Sequence, residues 1–370
     1  MPRAHKKKLL LLSVGYGKGH HSAAAALAGV YAEHGWESRV VDVCELAQPV
    51  LFRLTQRFYA FCVRQAPWIW GITYRLADAA DWALLIHSPM LRPVVRCLRR
   101  LLSEDQPDLV VCTYPLFAYM LDELRGKGYT SVPYAVVVTD AREISRPWMC
   151  SGAPLVIVPD AGSRHRVMER YANSRNRVEA AGFPVCREFF ASAERRTPDE
   201  TAFRIVYGAY RQIGGVLNDV TSLLAAFPQL RMTVLAGCHE QKLQQLLSDY
   251  CASGRLQIMA ESTQMAELLR ESHLYIGKAG AATMFECYAS AVPMLVNFIL
   301  PGQEEGNLEL LLEDGAGCHV ESTAHMVDTV HRLLENGAEG WLHLKNKMIA
   351  AGRQHGAERI VDTIKHFLRV

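Results

Sequence analysis

Short apolar runs alternate with helix-length stretches along almost all of this chain, and the alternation restarts once. The first half carries such runs at 9–14, 108–112 (DLVVC), 134–138 (YAVVV) and 155–158 (LVIV), with helix-compatible sequence between them. Runs without polar alternation suit strands buried on both faces, and strands joined through helices pair in parallel. At 187–202 the pattern breaks in REFFASAERRTPDETA, a charged linker with a Thr-Pro step. It resumes with FRIVYG, RMTVLAG, RLQIMA, HLYIG, VPMLVNF and AGCHV, each followed by a helix-like segment. The expected fold class is α/β, with two doubly wound, Rossmann-like domains at 1–190 and 200–350. Residues 351–370 form a final helix that can return to the N-terminal domain. Ligands of such sheets bind beyond the carboxyl ends of the strands, so both domains are expected to face their loops toward a central cleft.

Composition narrows the function classes. The chain has 370 residues, half of them hydrophobic and 21% charged, enough for two ordinary cores. A net charge of +2 gives no prior for nucleic acid. None of the ten cysteines stands at CxxC spacing, which argues against zinc and thioredoxin-type chemistry and for a reducing, cytoplasmic compartment. The start, MPRAHKKKLLLLSVG, looks like a signal peptide, but its apolar stretch runs only from Leu9 to Val14 and reads as a buried strand. No window reaches the roughly 18 apolar residues of a membrane span.

Residues 51–102 stand apart. They hold eight arginines, two aspartates and no lysine or glutamate, and eight large aromatics that include Trp68, Trp70 and Trp82. Such a basic, aromatic, helix-compatible segment suits contact with an anionic membrane surface. An ordinary helical layer with solvated arginines is the other reading.

The loop GYGKGH, residues 15–20, follows the first strand. It is not a dinucleotide fingerprint, because His20 stands where the third glycine belongs. It is not a P-loop, because Leu12 and Gly19 replace the required Gly and Ser or Thr. Gly15, Gly17 and Gly19 still allow a tight turn and close approach to a ligand, and the helix that follows aims its N-terminus there. His20 is a candidate general base, since an imidazole titrates near neutrality. A helix-start residue is its plainer reading.

A longer motif, GKAGAATMFECYASAVPMLVNFILPGQEEGNLELLLEDGAG, spans 277–317. Lys278, Ala279 and Gly280 follow a strand, and a helix begins near Ala281. Its free amides and the Thr283 hydroxyl can receive a phosphate. Glu286 can accept two hydrogen bonds from a ribose diol, and Gln303, Glu304 and Asn307 suit a polyhydroxyl ligand. Phosphate, ribose and sugar contacts in sequence spell a nucleotide sugar.

With these residues the chain resembles the monogalactosyldiacylglycerol synthases and processive diacylglycerol glucosyltransferases, a GT-B family of the glycosyltransferase family 28 type. GYGKGHHSAAAAL, VVVTD at 136–140, Trp148 and AGFPVCREF at 181–189 fall in the family's order. The resemblance implies that Glu286 binds the UDP ribose, Thr283 the diphosphate, and Gln303 with Glu304 the hexose. It places His20 at the acceptor, with Asp140 as a second candidate for base or base-orienter. It implies an inverting, metal-independent enzyme with no cofactor. That enzyme moves a hexose from a UDP-sugar to a lipid hydroxyl, diacylglycerol foremost, at the cytoplasmic membrane face. Two departures face the expected cleft. Ser145 stands where a histidine is usual. The second domain's first loop, YGAYRQIGG, keeps Gly208 but adds Tyr210 and Arg211, which either touches phosphate or is solvated. The alternatives are another hydrophobic acceptor, a UDP-sugar 2-epimerase of the same fold, and a non-catalytic sensor, against which the retention of His20 and Asp140 speaks.

Overall fold

The computed structural model describes residues 6–370 except 18, 150, 173, 175, 191–196 and 199–202. Most of the expected linker therefore lies outside the described residues; Arg187–Phe189 forms a turn of 3-10 helix. The chain forms two compact units. One comprises Met1–Cys62, Trp68–Arg187 and His355–Val370, the other Val63–Pro67 and Glu188–Gln354. Each is a parallel sheet between helices, the α/β doubly wound class that the alternation predicts.

The first unit's strands are β1 (Lys8–Leu12), β2 (Glu37–Val41), β3 (Leu109–Cys112), β4 (Tyr134–Val137), β5 (Leu155–Val158) and β6 (Arg177–Ala180). Their order is β2-β1-β3-β4-β5-β6, so the winding reverses between β1 and β3. Successive side chains of a strand point to opposite faces. Leu10, Leu12, Val110, Val136 and Val156 enter one apolar layer, beneath helices Arg92–Asp105 and Leu116–Gly126. Leu9, Leu11, Leu109, Val111, Ala135 and Ile157 enter the other. Helix Gly19–Glu33 and the closing helix Gly356–Leu368 cover that face through Leu27, Tyr31, Ile360 and Ile364. The two strands without an apolar run, ESRVV and RVEA, are the sheet's edges. An edge strand needs less apolar sequence because water reaches it.

Residues 51–102 are helical, in segments Pro49–Gln65, Pro67–Ala79, Trp82–Leu85 and Arg92–Asp105. On the first of these, Val50, Leu54, Phe58 and Phe61 lie 49–67% exposed at helical spacing, and Trp68 and Leu84 beyond it are 65% and 70% exposed. This segment thus combines its arginines with several large exposed apolar side chains.

The second unit's strands are β7 (Phe203–Gly208), β8 (Leu230–Leu235), β9 (Leu256–Met259), β10 (Leu274–Lys278), β11 (Met294–Phe298) and β12 (Gly317–His319), in the order β12-β11-β10-β7-β8-β9. Ile205, Tyr207, Val234, Ile276 and Leu295 build its core with Trp341. Segment Thr323–Ala350 is two helices that meet at a break over Glu335–Ala338. The register of β10 on β11 shifts between Gly277 and Lys278. Such a bulge re-aims the residues after it, and here these are Lys278, Ala279 and Gly280.

Candidate active site

The glycine-rich turn joins β1 to helix Gly19–Glu33. Its backbone is held by side chains of the first unit. The Gly15 amide donates to Asp42 Oδ2 at 2.8 Å, and the Gly15 carbonyl accepts from Gln56 Nε2 at 2.8 Å. A β-carbon on Gly15 would lie 2.7 Å from that Gln56 nitrogen, and Gly17 has φ +76°. Both glycines therefore answer a local demand. Asp42 also accepts from the Glu45 amide at 3.0 Å.

His20 lies in the first turn of the helix. Its Nδ1 pairs with Thr139 Oγ1 at 2.8 Å, and its carbonyl accepts from Thr113 Oγ1 at 3.2 Å. The Tyr114 ring meets the imidazole edge-on at 5.2 Å, and the Trp148 ring lies 6.4 Å away. These neighbours crowd the imidazole: burial, with a smaller push from His21, lowers its pKa from 6.5 to about 4, against the raising effect of a hydrogen bond to the Thr113 backbone. The ring is neutral at pH 7, the form that can take a proton. Asp140 is 6% exposed and accepts from Trp148 Nε1 at 3.2 Å. The residue on His20 Nδ1, Thr139, stands one position before Asp140. Trp148 is buried and holds Asp140.

In the second unit, helix Ala281–Ser290 starts at Gly280 with no side-chain cap. Its first amides are open to an anion, at the positive end of the helix dipole. Thr283 and Glu286, three residues apart, share its partly exposed face. Burial, with Glu188 nearby, raises Glu286 to about 8. Glu304 and Asn307 work inside the protein. The Glu304 carboxylate pairs with Lys278 Nζ and accepts from the Leu300 amide at 3.0 Å. Asn307 Nδ2 donates to the Ala279 carbonyl at 3.0 Å. Together they pin the Lys278–Gly280 turn to helix Glu305–Glu313. Gln303, on the approach to that helix, is partly exposed.

The YGAYRQIGG loop is also tied down. Arg211 Nη1 reaches Asp219 at 2.9 and 3.1 Å, and Asp219, fully buried, also accepts from Tyr207 at 2.7 Å and Asn297 at 3.3 Å. Arg211 is therefore an ion-pair partner rather than a solvated side chain. A β-carbon on Gly208 would lie 2.6 Å from the Tyr275 hydroxyl. Gly208 thus has a packing reason of its own.

The sequence reading missed Thr139, Thr113, Asp42, Tyr114 and Asp219. Asp42 carries a signal, an acidic residue closing RVVD, but the strand it closes has no long apolar run. Thr139 lies in VVVTD, where its neutral hydroxyl is a weaker signal than the carboxylate of Asp140 beside it. Among the described residues, no group of three or more His, Cys, Asp or Glu side chains is placed to hold a metal ion.

Known proteins match this arrangement. Residues 20–185 match the family model for monogalactosyldiacylglycerol (MGDG) synthase, and residues 214–364 match that for the glycosyltransferase family 28 C-terminal domain. A processive diacylglycerol beta-glucosyltransferase of Bacillus cytotoxicus is 26% identical over 96% of this chain and 93% of its own length. The enzyme of the same name from Bacillus mycoides has the same identity and coverage. Among solved structures, Acinetobacter baumannii MurG aligns over 97% of this chain and 99% of its own, with TM-score 0.58 and 17% identity. A putative UDP-N-acetylglucosamine 2-epimerase from Listeria monocytogenes aligns over 99% and 98%, with TM-score 0.62 and 13% identity. Fold alone therefore does not separate transferase from epimerase; the family matches do. The protein is a glycosyltransferase of the GT-B fold. Its N-terminal half is similar to monogalactosyldiacylglycerol synthases, its C-terminal half to family 28 glycosyltransferases, and nearly its whole length to processive diacylglycerol glucosyltransferases.

Proposed function

We propose that this protein transfers a hexose from a UDP-sugar to the free hydroxyl of diacylglycerol, with inversion at the anomeric carbon and without a metal. The observation that carries this reading is the match over 96% of the chain to enzymes named for that acceptor and for a beta product. A beta product from an α-linked UDP-sugar requires inversion. The names of these relatives favour glucose as the hexose.

In this reading Glu286 accepts the ribose hydroxyls, and Thr283 with the open amides after Gly280 receives the diphosphate. Gln303 lies toward the hexose, and Lys278, Glu304 and Asn307 keep the turn in shape. His20 takes the proton from the acceptor hydroxyl as its oxygen attacks the anomeric carbon. The bond to UDP breaks on the opposite side, and the diphosphate leaves with the bonding pair. The helix dipole and amides stabilise that charge. The exposed apolar side chains and arginines of 51–102 favour work on an anionic membrane surface at the cytoplasmic face. Among the described residues, no helix is long and apolar enough to cross a membrane.

The test is direct. The protein is incubated with UDP-glucose or UDP-galactose and dioleoylglycerol, with and without EDTA, and the product is identified by mass spectrometry and NMR. A beta-hexosyl diacylglycerol formed equally in EDTA is expected. An alpha linkage, loss of activity in EDTA restored by magnesium or manganese, or free epimerised UDP-sugar as the only product would each overturn the corresponding part.

A further inference from the structure

Beside the glycine-rich turn, the first unit holds a cavity of about 240 Å³, walled by Leu51, Trp82, Met90 and Val94 with Tyr16 and Tyr114. Apart from the Tyr114 hydroxyl, the polar side chains on its walls are engaged with the protein. The Tyr16 hydroxyl donates to Thr55 Oγ1 at 2.9 Å, and Thr55 Oγ1 donates to the Phe52 carbonyl at 2.8 Å. Trp82 Nε1 donates to the Ala77 carbonyl at 2.8 Å, and the Gln48 amide donates to the Met90 carbonyl. Burial, with Asp42 and Cys97 nearby, pushes the Cys44 thiol on the same wall up to about 12, so it stays uncharged. A polar ligand entering here would lose its bonds to water and gain few in return. The space is smaller than the roughly 300–1,000 Å³ that houses a whole small molecule. It suits one apolar tail.

Two further observations say which tail. Two of its lining residues, Leu85 and Met90, are 39% and 49% exposed, so the cavity wall reaches the surface there. They belong to the segment whose exposed apolar side chains and arginines are described above, so an apolar chain enters from a lipid-facing surface. At the other end, Tyr114 is a shared wall. Its ring lies 6.1 Å from Tyr16 and 6.2 Å from Trp82 on the cavity side, and 5.2 Å from His20 on the catalytic side.

We infer that this cavity binds one acyl chain of the acceptor lipid, with Tyr114 separating the buried chain from the hydroxyl that His20 deprotonates. The inference rests on the lipid-acceptor reading and gives it a chain-length ruler. Each methylene that enters contributes up to about fourfold in affinity. Chain length therefore matters until the cavity is full, and then stops mattering.

The experiment uses the full chain and two variants. Leu51→Trp fills the cavity. Met90→Trp narrows its mouth from a half-exposed position, so it serves if the first variant does not fold. Two readouts are taken: binding of cis-parinaric acid, an acyl probe that fluoresces in apolar surroundings, and KM for diacylglycerols of increasing chain length in mixed micelles. Probe binding is expected to weaken at least tenfold in both variants, the fall of KM with chain length to flatten, and UDP affinity to stay within twofold. Folded variants that bind the probe as tightly as wild type, with an unchanged chain-length profile, would overturn the inference. Weakened probe binding, together with no wild-type transfer to any diacylglycerol, would overturn the acceptor assignment and leave the acyl cavity standing.

Discussion

The turn after β1 and the turn after β10 are both strand-to-helix turns rich in glycine, and they are built to opposite ends. In the first, the backbone of Gly15 is consumed inside the protein by Asp42 and Gln56. What that turn offers a ligand is a side chain, His20, itself fixed by Thr139. In the second, Glu304 and Asn307 hold the turn from outside the helix, and the helix start is left without a side-chain cap. That turn offers backbone amides. One presents a group that can move a proton; the other presents a field that can hold an anion. Burial leaves both key side chains uncharged in the free protein at pH 7, His20 by lowering its pKa to about 4 and Glu286 by raising its pKa to about 8.

The largest effect that would break this contrast is on turnover. Loss of a general base typically costs 10²–10⁴ in rate. His20→Ala is predicted to fall by about that factor at saturating donor, with UDP affinity within roughly twofold. Asp140→Asn is predicted to fall in the same direction, because Asp140 holds Trp148 and the Trp148 ring lies beside the imidazole, and the double variant to be little worse than the worse single. Multiplicative losses would give Asp140 a role of its own, apart from His20. Near-normal turnover in His20→Ala would return His20 to a helix-start residue.

Next comes donor binding. Hydrogen bonds to a charged group are worth roughly 1.5–3 kcal/mol each, so Glu286→Ala is predicted to cost about 2–4 kcal/mol of UDP affinity by calorimetry. Unchanged affinity in a folded variant would remove Glu286 from the donor site.

The pH dependence sharpens the same point. Glu286 is mostly protonated below about pH 8 in the free protein. Ribose hydroxyls donate to the carboxylate and favour its ionised form, so binding releases a proton. UDP affinity is therefore predicted to rise with pH up to about 8, by at most tenfold per unit, and to level off above it. His20, with its pKa near 4, adds no step between pH 5 and 8. Affinity that is flat or falls over this range would contradict the assignment. The smallest effect is structural. Gly15→Ala displaces the Gln56 amide and is predicted to lose about 1 kcal/mol of stability, one hydrogen bond's worth, as a lowered melting temperature with UDP affinity intact. An unchanged melting temperature would mean that the Gln56 tie is worth nothing.

Much of this was legible in the sequence because parallel sheets write themselves in apolar runs. Four of the first unit's strands and all six of the second were visible that way. The two that were not, Glu37–Val41 and Arg177–Ala180, lie at the sheet's edges and carry charge. The positions of His20, Thr283 and Glu286 followed from where strands end and helices begin. The division of labour among neighbouring residues did not. Glu304 and Asn307 read as sugar contacts because their side chains suit a hydroxyl-rich ligand, yet they spend that capacity on Lys278 and Ala279. Arg211 had two readings, phosphate contact or solvated, and its partner is Asp219, eight residues on. Such pairings depend on three-dimensional packing that no local pattern encodes.

The central claim is that the two turns perform separate tasks, and a double-mutant cycle on kcat/KM for the UDP-sugar tests it most directly. Groups with independent roles give losses that multiply. His20→Ala and Glu286→Ala are predicted to combine so that the double variant's loss equals the product of the two single losses, within about twofold. A double variant no worse than the worse single would mean that His20 and Glu286 act as one unit, and would contradict the account.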